Sequence, residues 1–432
     1  MTQSSHIVHL MPHLGGGVGK ALLTLAEAQQ ARGYAHSFVL LQRPEKTHFV
    51  DALRALGCPI ALASEDPAAA RDLLESADLV QLEWWNHPAT FEYLCGTDLP
   101  PMRLLVWSHV SGIRTPLIPT ALFNVADRVL FTSECSLQSE TVAALNPTVR
   151  QKIGVVPSGV GLNVPRARTE DPQGRLRVGY LGSLNFSKLH PRFIDFLAAV
   201  DVPDFAVRIW GDIQNRALLL DQCHRAGRRG LLEFAGYTTD VAETLASLDA
   251  LAYLLNPHHY GTGENALLEA MSAGVVPIVL ANPAESALVE DGRTGLVVDD
   301  PTTFSAAMRR LAADPKARRR IGRNAAEFAT SRFTPRVMGE KMALQYGQLL
   351  STDKHTVDFN TTLGIEPAQW FLASQEDGED FARRIPDMAK DPFDCHNLSE
   401  PRKGSLTHYC TYFPADARLR AWSDLARECL SS

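Results

Sequence analysis

Residues 261–274 read Gly-Thr-Gly-Glu-Asn-Ala-Leu-Leu-Glu-Ala-Met-Ser-Ala-Gly and lead into the apolar run Val276-Pro277-Ile278-Val279. A glycine-rich loop that opens a helix leaves the first-turn N–H groups unpaired, and such groups attract anions. Glu264 and Glu269 stand near that end, where a carboxylate accepts hydrogen bonds from ribose or hexose hydroxyls. Gly263 and Asn265 flank Glu264 at the helix entrance, and Gly274 stands where a C-cap glycine closes a helix. An acidic first turn that only caps the helix is the competing explanation.

A second glycine run, Gly15-Gly16-Gly17-Val18-Gly19-Lys20, lies between a strand pattern and a helix pattern. It resembles a phosphate-binding loop but departs from one. Leu14 replaces the leading glycine, and Ala21 stands where a hydroxyl should meet magnesium. No acidic residue ends the next strand, so a dinucleotide is poorly served. A tight turn needing positive φ explains the run equally well. Ser108-His109 follows another strand, where the histidine either meets a ligand or is satisfied by backbone.

These groups must be positioned by alternating elements. Strand signals occur at Ile7–Met11, Ser37–Leu41, Leu79–Leu82, Leu104–Trp107, Val129–Phe131 and Ile153–Val156, with helical patterns between them. They restart at Arg177–Leu181, Val207–Trp210, Leu231–Phe234, Ala250–Leu254, Val276–Leu280 and Gly295–Val298. Helices over 302–313, 315–331 and 335–350 close this half. Alternation of this kind implies parallel sheets covered by helices on both faces, with ligands beyond the strands' carboxyl ends. The expected organisation is a Rossmann-like domain over 1–156, a linker over 157–173 and a second Rossmann-like domain over 174–334. A helix over 335–352 then crosses back to the first, and an extension of unknown role spans 353–432, with one helix from Asp416 to Cys429.

The chain has 432 residues, 45% hydrophobic and 21% charged, so a packed core is expected. Its net charge of −7 argues against a general nucleic-acid binder. Seven cysteines without a Cys-x-x-Cys pair suggest reduced thiols. No basic leader precedes an apolar run, and no stretch of about 18 apolar residues occurs, so a cytoplasmic protein is expected. Cys395, His396, His408, Cys410 and Cys429 lack zinc-site spacing, and no metal site is expected.

The chain resembles glycosyltransferase family 4 from about His6 to Leu350. Leu268-Glu269-Ala270-Met271 matches the second half of that family's glutamate motif. Gly16-Gly17-Val18 resembles its N-terminal Gly-Gly loop, Ser108-His109 its donor-sugar histidine, and Val156-Pro157-Ser158-Gly159-Val160 its linker. Gly211-Asp212, Phe234-Ala235-Gly236-Tyr237 and Asp291-Gly292-Arg293-Thr294-Gly295-Leu296 resemble three of its turns. Two departures stand out. In Gly182-Ser183-Leu184-Asn185-Phe186-Ser187-Lys188 the family lysine is kept but Ser183 replaces an arginine. Gly261 occupies the first glutamate's place, with Glu264 displaced by three residues.

The resemblance implies an α/β fold of two Rossmann-like parallel-sheet domains facing across a cleft (GT-B), with a C-terminal extension. It implies metal-independent, retaining transfer of a hexose-type sugar from a nucleotide diphosphate, with no cofactor besides that co-substrate. His109, Lys188 and Glu264 would be catalytic. Gly16, Gly17, Ser183, Lys188, Tyr237, Gly263, Asn265 and Glu269 would bind the donor, Glu269 through the ribose. The acceptor would be a glycan, lipid-linked or small molecule in polysaccharide biosynthesis; Asp78–His87, at the end of a first-domain strand, offers it polar and aromatic groups or equally packs those aromatics in the core. A sugar-nucleotide epimerase and a silent nucleotide-sugar-binding module are the rival functions. Lys316, Arg318, Arg319, Arg320 and Arg323 form a basic helix face, either solvated or touching an anionic membrane surface. The extension contains Trp370, Phe371, Phe381, Tyr409, Tyr412, Phe413 and Trp422, rings that need a surface to pack on, in this chain or in an oligomer.

Overall fold

Runs such as Leu79-Val80 and Leu104-Leu105-Val106 are apolar at successive positions, which suits strands with both faces covered. A computed structural model describes residues 4–159, 175–212, 214–238 and 240–431, so most of the expected linker, from 160 on, lies outside the described residues. The chain divides into two units. Unit one comprises Met1–Gly159, Tyr260–Gly263 and Pro335–Ser432, and unit two Val160–His259 and Glu264–Thr334.

Among the described residues, unit one holds seven strands: β1 (Ser5–Met11), β2 (Tyr34–Leu40), β3 (Ile60–Leu62), β4 (Leu79–Trp84), β5 (Leu104–Ser108), β6 (Arg128–Phe131) and β7 (Ile153–Val155). They form one parallel sheet in the order β3-β2-β1-β4-β5-β6-β7. Unit two repeats the design with β8 (Val178–Leu181), β9 (Val207–Trp210), β10 (Leu232–Gly236), β11 (Ala250–Tyr253), β12 (Val276–Leu280) and β13 (Leu296–Val298). Their order is β10-β9-β8-β11-β12-β13, again parallel. Both orders reverse direction beside the first strand, so the switch points lie between β1 and β4 and between β8 and β11. The α/β reading with two Rossmann-like sheets is borne out. The short edge strand β3 was missed.

Local chemistry sets the helix boundaries. Asp66 accepts from the Ala69 amide ahead of Pro67, and Asp314 does the same for Ala317 ahead of Pro315. Gly211 is required by a close approach. Its φ is +154°, and a Cβ there would lie 1.9 Å from the Gly182 carbonyl oxygen, so the loops after β8 and β9 touch backbone to backbone. Of the basic helix face, Arg318 is buried and turned inward, donating to the Leu311 carbonyl at 2.8 Å and lying 3.8 Å from Asp249.

The helix Pro335–Leu350 packs in unit one, where Gln29 donates to the Gly339 carbonyl at 2.9 Å and Tyr346 to Gln81 at 2.6 Å. Residues beyond it hold further helices at Phe359–Leu363, Pro367–Leu372, Phe381–Lys390, Cys395–Ser399, Leu406–Tyr412 and Ala417–Ser431. Five of these were not foreseen, because they are short and broken by prolines and acidic turns. Their aromatic rings join the unit-one core: Trp370 stacks on Phe91 at 6.0 Å, and Phe371 meets Phe381 at 4.8 Å and Tyr409 at 5.4 Å.

Ending the chain at Thr352 strips cover from Phe91 and its neighbours. The truncated protein is expected to aggregate or to lose much of its unit-one stability. Size-exclusion chromatography and thermal unfolding test this. A monodisperse product with an unchanged melting temperature means that the extension is dispensable.

Candidate active site

In unit two the loop after β8 is tied down by its own side chains. Ser183 donates to Asp212 at 2.6 Å, Asn185 donates to the Ser183 hydroxyl at 2.7 Å, and the Leu184 amide reaches Asp212 at 3.2 Å. The loop ends at Lys188, whose Nζ lies 3.1 Å from Glu264 Oε2. Glu264 precedes the helix Asn265–Ser272 with φ +25°, a conformation rare for any residue but glycine. Its carboxylate does not cap the helix; it accepts from the Tyr253 hydroxyl at the end of β11 as well as from Lys188. The capping explanation for Glu264 is therefore set aside.

His259 extends this network, with Nε2 3.1 Å from Glu285 and Nδ1 4.0 Å from Glu264. Burial raises the Glu264 pKa, but Lys188, His259 and the Tyr253 hydrogen bond outweigh it and hold the carboxyl below its usual range. Burial lowers His259, yet Glu285 and then Glu264 raise it further, so the imidazolium is favoured. Glu269 is buried in the same helix, Asn265 opens it, and Gly274 ends it at φ +73°. Tyr237 stands at the end of β10 with its ring 68% exposed.

In unit one, Gly15–Gly17 follow β1. Gly16 begins the helix Gly16–Gln30 at φ +55°, and a Cβ on Gly19 would lie 2.6 Å from the Phe49 ring. His109 follows β5, and its Nε2 lies 2.7 Å from Glu83 Oε2 on β4. The other oxygen of Glu83 meets His9 Nδ1 at 2.8 Å, and His9 Nε2 meets His36 Nδ1 at 2.8 Å. With Glu83 ionised, this chain fixes the tautomers, and His109 presents Nδ1 as a hydrogen-bond acceptor. Tyr260–Gly263 is held in this unit too. The Ser111 amide donates to the Tyr260 carbonyl at 3.0 Å, Thr132 donates to Thr262 at 3.1 Å, and a Cβ on Gly263 would sit 3.3 Å from Thr132.

Thus Lys188 and Glu264 are brought into contact, while Gly16, Gly17, Gly263 and His109 belong to unit one and Ser183, Tyr237, Asn265 and Glu269 to unit two. Glu83, His259 and Glu285 were not assigned from sequence. Glu83 had a signal: it is a carboxylate inside the otherwise buried strand β4. His259 and Glu285 are 26 residues apart and gave none.

Unit one keeps its buried histidines neutral. Burial, then neighbouring His6, lowers His9 to about 3. Burial with His408 lowers His87 to about 2, and burial with His13 lowers His408 to about 4; His36 and His109 are also lowered by burial. Unfolded histidines take a proton near pH 6.5, so below that value the unfolded chain binds more protons. This stability is present above about pH 6.5 and is lost as pH falls, by about 1.4 kcal/mol per pH unit for each fully titrating histidine. His259 and Glu83, whose pKa values are raised, act in the opposite sense but are outnumbered by the lowered histidines. The urea midpoint is expected to drop between pH 7.5 and pH 5.5, before most carboxylates titrate. A flat or rising profile would show that these rings are charged in the fold.

Residues 165–328 match the family model described as glycosyl transferases group 1. No curated protein matches the chain. Among solved structures, Anabaena HepE in complex with UDP and glucose is 18% identical with a TM-score of 0.63, covering 80% of this chain and all of its own. A glycosyltransferase from Rickettsia africae is 12% identical with a TM-score of 0.65, covering 82% and 100%. Sucrose-phosphate synthase of Thermosynechococcus elongatus is 16% identical with a TM-score of 0.63, covering 81% and 100%. At these identities the likeness establishes the fold, which is that of GT-B proteins with two Rossmann-like domains, and the group 1 glycosyltransferase signature lies in the second of them.

Proposed function

We propose that the chain is a metal-independent glycosyltransferase that moves a hexose-type sugar from a nucleotide diphosphate to an acceptor with retention of configuration. The observation that carries this reading is the ion pair of half-buried Lys188 with buried Glu264 at the mouth of the helix Asn265–Ser272, inside the segment that matches group 1 glycosyltransferases. A nucleoside diphosphate leaves readily if its growing negative charge meets fixed positive charge. Lys188 Nζ and the first-turn amides at Asn265 supply such charge without a cofactor. Glu264 holds Lys188 in place and keeps a second oxygen for a sugar hydroxyl.

Glu269 takes the ribose, exposed Tyr237 the base, and Ser183 one diphosphate oxygen on turning its hydroxyl away from Asp212. In unit one, Gly16, Gly17 and Gly263 offer backbone to the donor. His109, with its tautomer set by Glu83, offers Nδ1 to the donor sugar. HepE was captured with UDP-glucose, which makes that donor the first to try. Hydrolysis or transfer of a nucleotide sugar, with the anomeric configuration of the product read by NMR, tests the reading. An interconverted sugar nucleotide without acceptor indicates an epimerase, and binding without turnover a silent module.

Lys188→Ala is expected to lower kcat by roughly 100-fold or more, as for a lost preorganised donor, with Lys188→Arg recovering part of it. A raised KM at constant kcat would limit Lys188 to binding. Glu269→Ala is expected to weaken nucleoside diphosphate binding instead, because a ribose contact does not change along the reaction; calorimetry showing wild-type affinity removes that assignment.

Activity should also survive EDTA, since Lys188 and the helix amides neutralise the diphosphate. Loss of turnover in EDTA that returns on titrating manganese would refute metal independence.

A further inference from the structure

Inside unit one, the segment Glu400–Ser405 of the extension reaches the loops that follow β4 and β5. Arg402 is only 5% exposed, and its Nη1 donates to the Thr115 carbonyl at 2.8 Å. Its guanidinium carbon lies 5.7 Å from the centre of the Tyr260 ring. Nε and Nη2 have no hydrogen-bond partner, and no carboxylate lies within ion-pair distance of the group among the described residues. Those two nitrogens form the edge of arginine that grips a carboxylate or phosphate with two parallel hydrogen bonds. A buried guanidinium with that edge unmet is costly, and burial lowers its pKa to about 10.

A second orphaned group meets the same segment two residues on, at Gly404. Asn86 is fully buried at φ +60°, and neither atom of its side-chain amide has a partner. Gly404 packs against it so closely that a Cβ there would lie 2.7 Å from Asn86 Nδ2 and 2.9 Å from Pro116. Lys403 adds charge, with Nζ 5.3 Å from the centre of the Trp85 ring and 6.0 Å from that of Tyr260. Trp85 in turn lies 6.2 Å from the His109 ring. Lys403 thus lies one aromatic ring away from His109, Arg402 shares the Tyr260 ring with it, and Gly404 next in the chain meets the unsatisfied Asn86 amide.

We propose that Arg402, Lys403 and Asn86 form an oxyanion-binding site, and that it recognises a phosphate or carboxylate group carried by the acceptor. The word acceptor rests on the glycosyl-transfer reading; the anion site itself does not. Arg402 takes two oxygens through Nε and Nη2, Asn86 Nδ2 donates to the same group, and Lys403 contributes charge across Trp85. His13 and His87 nearby are kept neutral, chiefly by burial, and add no charge of their own. The acceptor's anionic end is thereby held at a fixed distance from His109.

The full-length protein is melted in chloride buffer with increasing inorganic phosphate or malonate at constant ionic strength. The wild type is expected to gain about 2–4 °C at a tenfold excess over the dissociation constant. A response to phosphate alone assigns a phosphorylated acceptor, and one to malonate alone a carboxylate. Arg402→Met is expected to melt no lower than wild type in chloride and to lose the shift, and Lys403→Met to reduce it. Lys188→Ala is expected to retain the shift, which excludes the donor phosphate region as its source. No shift in the wild type, or an equal shift in Arg402→Met and Lys403→Met, overturns the proposal. UDP binding is followed in parallel by calorimetry. If UDP binds and the anion shift fails, this inference falls and the glycosyltransferase reading stands; if no nucleotide sugar binds while the shift holds, the reverse is true.

Discussion

A parallel sheet covered on both faces has no wet side, and this constraint organises the chemistry of both units. Helices close the faces, so polar side chains are concentrated where strands end and loops begin. In unit one the loops after β1, β4 and β5 carry Gly16, Asn86 and His109. In unit two the loops after β8, β10 and β11 carry Lys188, Tyr237 and His259. Glu83 marks the limit of the rule. It lies one residue from the end of β4 and is fully buried, and it is tolerated because His9, His109 and Gln81 all hydrogen-bond to it.

Two devices offset the cost of buried polar groups. Unit two balances charge: Lys188 faces Glu264, and His259 faces Glu285, so each ion has a counter-ion within a few ångströms. That balance also holds Glu264 at φ +25°, a strain of roughly 1–3 kcal/mol that persists only where surrounding contacts determine it. The second device suppresses charge: burial keeps His9, His36, His87 and His408 of unit one neutral, and His190 of unit two likewise. Arg402 cannot follow that route, since a guanidinium does not give up its proton in a protein. Its unmet edge is the exception among these groups, and it is what a bound oxyanion would remove.

Much of the fold was legible because its signals are local. Apolar runs of four to seven residues, Pro after an Asp cap, and glycines at helix ends each report on a few neighbouring residues. The loop from Gly182 to Lys188 and the helix from Asn265 to Ser272 were readable for the same reason. Contacts that join distant segments were not. Nothing in the sequence pairs His259 with Glu285, or sets Asn86 beside Gly404, more than 300 residues later. The departures from the family pattern were visible as residues but not as geometry. Ser183 cannot replace an arginine's charge, yet its hydrogen bond to Asp212 shapes the loop that ends in Lys188. Glu264, though displaced, still meets Lys188.

The extension was the least legible part, and the reason is physical. Its helices are mostly shorter than two turns, and one contains Pro386, so only the last, Ala417–Ser431, shows a helical pattern long enough to read. Their stability comes from tertiary contact, chiefly the rings of Trp370, Phe371, Phe381 and Tyr409 within the unit-one core. The same extension delivers Arg402 and Lys403 to the loops beside Trp85. Packing and recognition are therefore carried by different residues of one segment. The aromatic residues fix where it lies, and that placement buries a guanidinium that no folding requirement of the core explains.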